Sequence, residues 1–314
     1  MQFALPPTSR KPSHAQNYTS SFSSRSPARR RRLQLIAILA CGAFVVFMLF
    51  SRIFSSSPGR PPSGTSEVVL VTVIDDHGFS KEHIEQIKQN RRDYAERHGY
   101  TTFLPARADY NLKGAPGGWA CVPAMRHALT AFPHSKFFFF LGQNSLIMNP
   151  ALSLHSHITS SERLESIILR DKPVVPPDSV IKTFAHQNGD DVDLILTQDE
   201  EGLGYRSFIL RQGEWSRFFL DTWFDPLFRS YNFQKGEAHA LEHIVQWHPT
   251  ILTKLALVPQ RILNSYNAVP HGDEENGKFQ EGDFIIRFPK CDSGRIPECE
   301  KIMNPYLPQK AEEQ

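Results

Sequence analysis

The chain has no aspartate or glutamate ahead of Arg52, although 33 acidic residues follow. Seven of its 35 lysines and arginines lie in that acid-free stretch: Arg10, Lys11, Arg25 and Arg29 to Arg32. The formal net charge of +2 therefore hides a basic tail joined to a mildly acidic remainder. No later stripe of basic residues with interleaved aromatics appears, so the pI near 8.3 is no sign of nucleic-acid binding. There is no GxGxxG and no P-loop, which argues against a dinucleotide enzyme or an NTPase. Cysteine is confined to Cys41, Cys121, Cys291 and Cys299, and Asn17-Tyr18-Thr19 is the sole glycosylation sequon.

Residues 1–32 are rich in Ser, Pro and Arg and read as a disordered tail. Leu33 to Phe50 then forms an apolar run broken only by Gln34. At ~1.5 Å per residue it covers about 27 Å, enough for a thin bilayer. Arg29 to Arg32 precede it closely, whereas only Arg52 follows, so the positive-inside rule puts the N-terminus in the cytosol and the large domain in the lumen. The run is long for a signal peptide and lacks a small-x-small cleavage site, so an uncleaved anchor is expected. Asn17 then faces the cytosol and stays bare. Residues 51–66, containing SSSPGRPPSGTS, read as a flexible stem; residues 67–306 form the globular domain, and 307–314 a short tail.

The domain is organised around Lys136 to Pro150, KFFFFLGQNSLIMNP. A short unbroken apolar run bounded by turn residues reads as a strand buried on both faces. Upstream, the β-branched run Glu67 to Ile74 predicts a strand ending at Asp75-Asp76. Ser80 caps a helix reaching His98, with Ile84, Ile87, Tyr94 and Ala95 as its apolar stripe and Gly99 as its stop. Tyr100 to Leu104 is a second strand, which completes a βαβ unit. A helix from Trp119 to Phe132 with Pro123 in its first turn leads into the phenylalanine strand. Strands follow at Leu194–Thr197 and Ser207–Arg211, then a helix with Trp215, Phe218, Phe219 and Trp223 on its apolar face. Glu237–Gln246 is a further helix, on which His239 and His243 have a metal-compatible spacing but no third ligand nearby. Ligands of open α/β sheets sit beyond the carboxyl ends of the strands, which makes Gly142-Gln143-Asn144 the candidate site.

Several blocks then act as a set. Trp119, Pro123, Arg126, Ala128, Leu129 and Pro133 precede the phenylalanine strand; Ser207, Phe208, Arg211, Trp215 and Ser216 form a second block. Val258-Pro-Gln-Arg-Ile-Leu-Asn-Ser-Tyr266 forms a third, and Gly282, Asp283, Phe288 and Cys291 a fourth. Together they resemble the fungal galactosyltransferase/mannosyltransferase family, glycosyltransferase family 34. The resemblance implies a GT-A-type, Rossmann-like α/β domain with a mostly parallel central sheet and helices on both faces. It implies a Golgi type II membrane enzyme that transfers a hexose with retention, mannose from GDP-mannose to mannose-containing N-glycans. The alternatives it leaves open are an α-1,2-galactosyltransferase using UDP-galactose and a non-catalytic scaffold subunit of a mannosyltransferase complex. The implied partners are a nucleotide sugar, a mannan or N-glycan acceptor, the Golgi membrane and other glycosyltransferase subunits.

The family's metal-binding pattern is altered here. Its triplet usually begins with Asp, where this chain has Gly142, and ends at Asn144; its His position holds Arg287 and a following Gly position holds Lys290. The family's Asn and Gly in the second block are replaced by Gly204 and Arg206. Mn²⁺ is expected of the family, but neutral amide oxygens are weak ligands for a hard cation. Arg287 and Lys290 are therefore expected to supply fixed positive charge to the diphosphate, since a guanidinium pairs well with phosphate oxygens. Asp75, Gly142, Gln143, Asn144, Arg287 and Lys290 are the candidate donor-binding residues, with Asp76 a further carboxylate at the strand end. Glu237, matching the family's acid, and Asp199 are the candidate catalytic residues. In an oxidising lumen Cys291 and Cys299 are expected to form a short-loop disulfide.

Overall fold

The computed structural model describes residues 27–54, 62–175, 179–199, 201–230, 236–269, 274–293 and 296–307. The expectations for residues 1–26 with their sequon, for 55–61 of the stem and for 308–314 fall outside those residues. The chain divides into two units, residues 1–60 and 61–314.

The first unit contains one helix, α1 (Pro27–Phe54). It overruns the apolar stretch at both ends, taking in residues 27–32 assigned to the tail and 51–54 assigned to the stem. Ala28 and Arg29 to Arg32 are good helix formers, which suits the extension at the N-terminal end. The segment Arg31–Met48 is long and apolar enough to cross a membrane, with mean hydropathy 1.7.

The second unit is built on a six-stranded sheet in the order β2-β1-β3-β6-β5-β7. The strands are β1 (Val68–Val71), β2 (Thr101–Phe103), β3 (Phe137–Leu141), β5 (Leu194–Asp199), β6 (Gly202–Arg211) and β7 (Leu255–Val258). β1 pairs in parallel with β2 and β3, β5 in parallel with β7, and β6 alone runs against its neighbours β3 and β5. This is the mostly parallel α/β sheet expected, made mixed by one reversed strand. β6 begins at Gly202, five positions before the expected Ser207. Its early glycines are poor strand formers, but the tight β5–β6 hairpin pairs them, Asp199 opposite Gly202 and Gln198 opposite Leu203.

The alternation of β3 explains its unbroken phenylalanines. Phe138 and Phe140 point into a core shared with α3 (Cys121–Ala131), α5 (Glu214–Trp223) and α7 (Glu237–Trp247). Phe137, Phe139 and Leu141 point into a second core with Tyr94 of α2 (Lys81–His98) and Leu164 of α4 (Ser161–Ile167). Both faces of the sheet are thus covered, and each fully buried phenylalanine contributes about 1.5–3 kcal/mol relative to exposure. Trp223 lies in the first core with its indole N–H donated to the Glu237 carbonyl at 2.9 Å. Phe218, expected on the buried face of α5, is instead 49% exposed. The buried face consists of Ser216, Phe219, Leu220 and Trp223. Helix α6 (Pro226–Ser230) links α5 towards α7.

A second sheet completes the unit. β4 (Ser145–Ile147) pairs antiparallel with β9 (Ile285–Arg287), which pairs in parallel with β8 (Ser265–Tyr266). The register sets Ser145 opposite Arg287, and Arg287 opposite Tyr266. The chain leaving β3 therefore turns at Gly142-Gln143-Asn144 and enters the small sheet at once.

Candidate functional site

The turn after β3 is fixed from beneath by Arg91. This residue occupies the apolar stripe of α2, four positions after Ile87, and is fully buried. Its guanidinium donates to the carbonyls of Gly142 at 3.0 Å and Ser145 at 2.5 Å, and to the Asn90 side chain at 2.6 Å. Burial pulls the Arg91 guanidinium down to about 9. Thr72, at the end of β1, donates to the Leu141 carbonyl at 2.8 Å. The signal for Arg91 was present in the sequence as a cation in an apolar stripe, and was missed because the stripe was traced through hydrophobic residues only.

Gln143 does not reach outward with its amide. Its carbonyl accepts the Asp75 N–H at 2.7 Å and its NH₂ donates to the Asp75 carbonyl at 3.0 Å. The clasp ties the turn after β3 to the segment after β1. The Asp75 carboxylate pairs with Arg107 at 3.0 Å. A cavity of about 390 Å³ opens between these parts, bounded by Asp75, Arg107, Gly142 to Ser145, Arg206, Arg287 and Asp292.

β9 brings Arg287 to the cavity. Its guanidinium lies over the Tyr266 ring at 5.2 Å, donates to the Tyr266 hydroxyl at 2.9 Å and pairs with Asp292 at 2.5 Å. The Tyr266 hydroxyl in turn donates to Asp199, while the other Asp199 oxygen accepts the N–H groups of Glu201 and Gly202 in the β5–β6 turn. On the opposite side, Asp292 accepts from the Asn144 side-chain amide at 3.0 Å. A continuous chain thus runs from Asp199 through Tyr266 and Arg287 to Asp292 and Asn144. Burial opposes ionisation of Asp292, but Arg287 and Arg206 outweigh it and hold its carboxyl below the ordinary carboxylate range. Burial likewise opposes charge on Arg287, and Asp292 more than compensates, so it stays charged.

Arg206, on β6, stacks over Tyr205 at 4.6 Å and sits 3.5 Å from Glu237, which is itself buried at the start of α7. Gly118 makes that approach possible, because a Cβ there would lie 1.7 Å from the Glu237 carboxylate. The turn Gly117–Ala120 ahead of α3 and the start of α7 thus meet beside the cavity.

The structure brings Asp75, Gly142, Gln143, Asn144 and Arg287 together around one cavity. Lys290 is exposed and does not line it, because it lies on a short 3₁₀ turn (Pro289–Ser293) whose Cys291 and Asp292 face inward. Asp76, Asp199 and Glu237 do not line it either; Asp199 and Glu237 act on it through Tyr266 and Arg206. Arg206, Arg107 and Asp292 line the cavity and had not been singled out as site residues. Arg206 had been noted only as a departure from a motif, and Asp292 is recognisable only once β9 and the turn after it are folded. Cys291 and Cys299 are joined in a disulfide that secures this turn to the helix Ile296–Met303.

The motif blocks also have a structural reading. Arg261 and Asp283 form a two-pronged pair at 3.0 and 2.7 Å, and Ser265 donates to the same carboxylate at 2.9 Å. These bonds couple the segments bearing β8 and β9, and so place Tyr266 beside Arg287. Burial raises the Asp283 pKa, but Arg261, the Gln280 N–H and Ser265 together lower it below the ordinary value.

A divalent cation finds a poor donor set here. The positions from which the family would bind it carry Gly142, Asn144 and Arg287, and the nearby carboxylates Asp75 and Asp292 are each paired with arginine. Among the described residues no cluster of three or more His, Cys, Asp or Glu could hold a metal.

The profile of the galactosyl transferase GMA12/MNN10 family matches residues 64–298, most of the second unit. The chain belongs to this family. It is a glycosyltransferase of the hexosyltransferase class. An uncharacterized alpha-1,2-galactosyltransferase of Schizosaccharomyces pombe, C8D2.17, is 31% identical over 263 residues, covering 82% of this chain and 78% of the relative. The probable alpha-1,6-mannosyltransferase MNN11 of Saccharomyces cerevisiae is 33% identical over 256 residues, covering 74% of this chain but 60% of that protein. A solved glycosyltransferase involved in the glycosylation of the major capsid of PBCV-1 superposes with a TM-score of 0.50 at 13% identity, over 76% of this chain and 98% of its own. That likeness supports a GT-A-like fold for this hexosyltransferase.

Proposed function

We propose that this hexosyltransferase is a single-pass type II protein of the Golgi membrane that transfers mannose, with retention, from GDP-mannose to mannose-containing N-glycans. In this reading residues 1–32 are cytosolic, 33–50 the anchor, 51–66 the stem, 67–306 the luminal catalytic domain and 307–314 a tail. The observation that carries it is the cavity after β1 and β3, where Arg107, Arg206 and Arg287 face a space suited to a nucleoside diphosphate. Transfer breaks the bond between the anomeric carbon and the diphosphate oxygen and joins that carbon to an acceptor oxygen, whose proton passes to the departing diphosphate. The electron pair leaves with the diphosphate, so cations aimed at its oxygens favour the transition state.

Within the reading, Gly142 and Asn144 contact the donor and Gln143 fixes Asp75 by its main chain. Glu237 orients Arg206, and Asp199 orients Tyr266 beneath Arg287; both are positioning residues. Lys290, exposed beside the turn, adds long-range positive charge. Mn²⁺ enters no step, because the donor set above does not fit it.

The alternative, galactose transfer from UDP-galactose, is favoured by the first relative and its high coverage of both chains. The MNN11 likeness supports the mannosyl reading and association with further glycosyltransferase subunits. Purified full-length chain, incubated with GDP-mannose or UDP-galactose and a mannose oligosaccharide, decides between them. Mannose transfer alone supports the proposal; galactose transfer alone overturns it in favour of the alternative. No transfer from either donor unless a co-purified subunit is present supports the scaffold reading.

A further inference from the structure

We propose that the cavity binds its nucleoside diphosphate without a divalent cation, on the guanidinium groups of Arg206 and Arg287, and that Asp292 competes for the same donors. The inference rests on the glycosyltransferase reading of the site.

Three arrangements carry it. First, a side chain at position 142 is crowded: a Cβ there would lie 3.1 Å from the Arg206 carbonyl and within 3.8 Å of its side chain. The turn after β3 thus presents backbone and the Asn144 amide, with no carboxylate of its own. Second, Arg206 is under-used. Among the described residues its buried Nε has no hydrogen-bond partner, and its one ion-pair contact, Glu237, is at 3.5 Å. A guanidinium has five N–H donors in a planar fork, and the terminal ones are at hand for a ligand in the cavity that Arg206 lines.

Third, Asp292 shows where an anionic oxygen is stable. It accepts from Arg287 and from the Asn144 amide, and Arg206 contributes to keeping it ionised. A phosphate oxygen is likewise an anionic acceptor, so it suits the same donors. Arg287 is pre-oriented for this by Tyr266, which stacks on the guanidinium and accepts one of its N–H groups. Arg107 pairs with Asp75, whereas Arg206 and Arg287 both act on Asp292, which makes them the pair whose partner a diphosphate would share.

Asp292 also sets the strength of binding. A carboxylate beside both cations cancels part of their charge and must yield donors to the ligand. Removing its charge while keeping its shape is therefore expected to raise affinity, the opposite of what a damaged fold would do.

The test is calorimetric titration of the full-length protein with GDP and with UDP, first in excess EDTA and then in MnCl₂. The expected result is saturable binding in EDTA with affinity changed less than about threefold by Mn²⁺. Arg206→Ala and Arg287→Ala each weaken it by roughly tenfold or more, in line with a lost charge-assisted contact. Asp292→Asn tightens it by about threefold to tenfold by sparing the competition. Binding that appears only with Mn²⁺ overturns the inference and leaves the glycosyltransferase reading intact. No binding of either nucleotide under either condition overturns the donor reading of the cavity and the inference with it. Weaker binding by Asp292→Asn, in EDTA, overturns the competition.

Discussion

Gln143 grips the main chain of Asp75 with both halves of its amide, at 2.7 and 3.0 Å. Two strands that are neighbours in the sheet are thereby joined again beyond their carboxyl ends, where no ladder bonds remain. Each half of the clasp satisfies a backbone group that the sheet cannot reach. Replacing Gln143 by alanine removes both bonds and is expected to cost about 1–3 kcal/mol. Urea unfolding measures this, and amide exchange at Asp75 should quicken more than exchange at Val69 in the strand interior. Equal protection at Asp75 in the variant and the parent chain would contradict the clasp.

Arg91 is expected to be the more damaging site. Its guanidinium serves the carbonyls of both Gly142 and Ser145. Arg91→Ala leaves these groups unsatisfied and opens a space in the core, with an expected loss of about 3–5 kcal/mol. Arg91→Lys keeps the charge but not the fork, so a partial loss is expected. A lysine variant as stable as the parent would show that charge, not geometry, fixes the turn.

Much of the fold could be read from residue patterns because each strand and helix carries its own signal. Ser80 does accept the His83 N–H at 3.2 Å, and Gly99 does take the left-handed conformation, with φ 66°, that ends α2. The phenylalanine run reads as a two-faced strand for the reason that its alternate rings fill two cores. The small sheet was not legible. Ser145–Ile147 and Ile285–Arg287 are three residues each, too short for a periodic signal, and they pair over a long sequence distance. The site followed the same division. Gly142, Gln143, Asn144 and Arg287 stand out as departures from a motif, whereas Asp292 and Arg107 gain meaning only from partners that folding brings to them.

Acid is expected to weaken the unit formed by residues 61–314 in the range just below neutrality. His83 is buried and stacks on Phe79 at 5.5 Å. Burial lowers its pKa below 6.5, with Glu300 and Asn304 opposing this less strongly, and burial lowers that of His157 too. The unfolded chain therefore takes up protons at a higher pH than the folded chain. Stability is complete above the unfolded value of 6.5 and declines as the pH falls from there through the folded value. Urea midpoints measured across this window should drop on acidification, and His83→Phe should flatten part of the slope. A slope unchanged in that variant would assign the acid sensitivity elsewhere.

Reduction is expected to loosen the turn that carries Asp292. The Cys291–Cys299 bridge closes a loop of eight residues and holds the 3₁₀ turn against the helix Ile296–Met303. A loop of that size constrains the unfolded chain by about 2.5 kcal/mol in the chain-entropy account. Cys299→Ser should lower stability by roughly that amount. The effect on the site differs from the effect on the fold. Asp292 is anchored next to Cys291 yet is also held by Arg287 and Asn144, so its pair with Arg287 should outlast the bridge under native conditions. Nucleotide affinity in Cys299→Ser should then change by less than about threefold while the melting temperature falls, since the charge-assisted pair is made independently of the disulfide. A tenfold fall in affinity beside a small fall in melting temperature would instead make the bridge the element that positions Arg287, and a clear rise in affinity would make it the element that holds Asp292 in place.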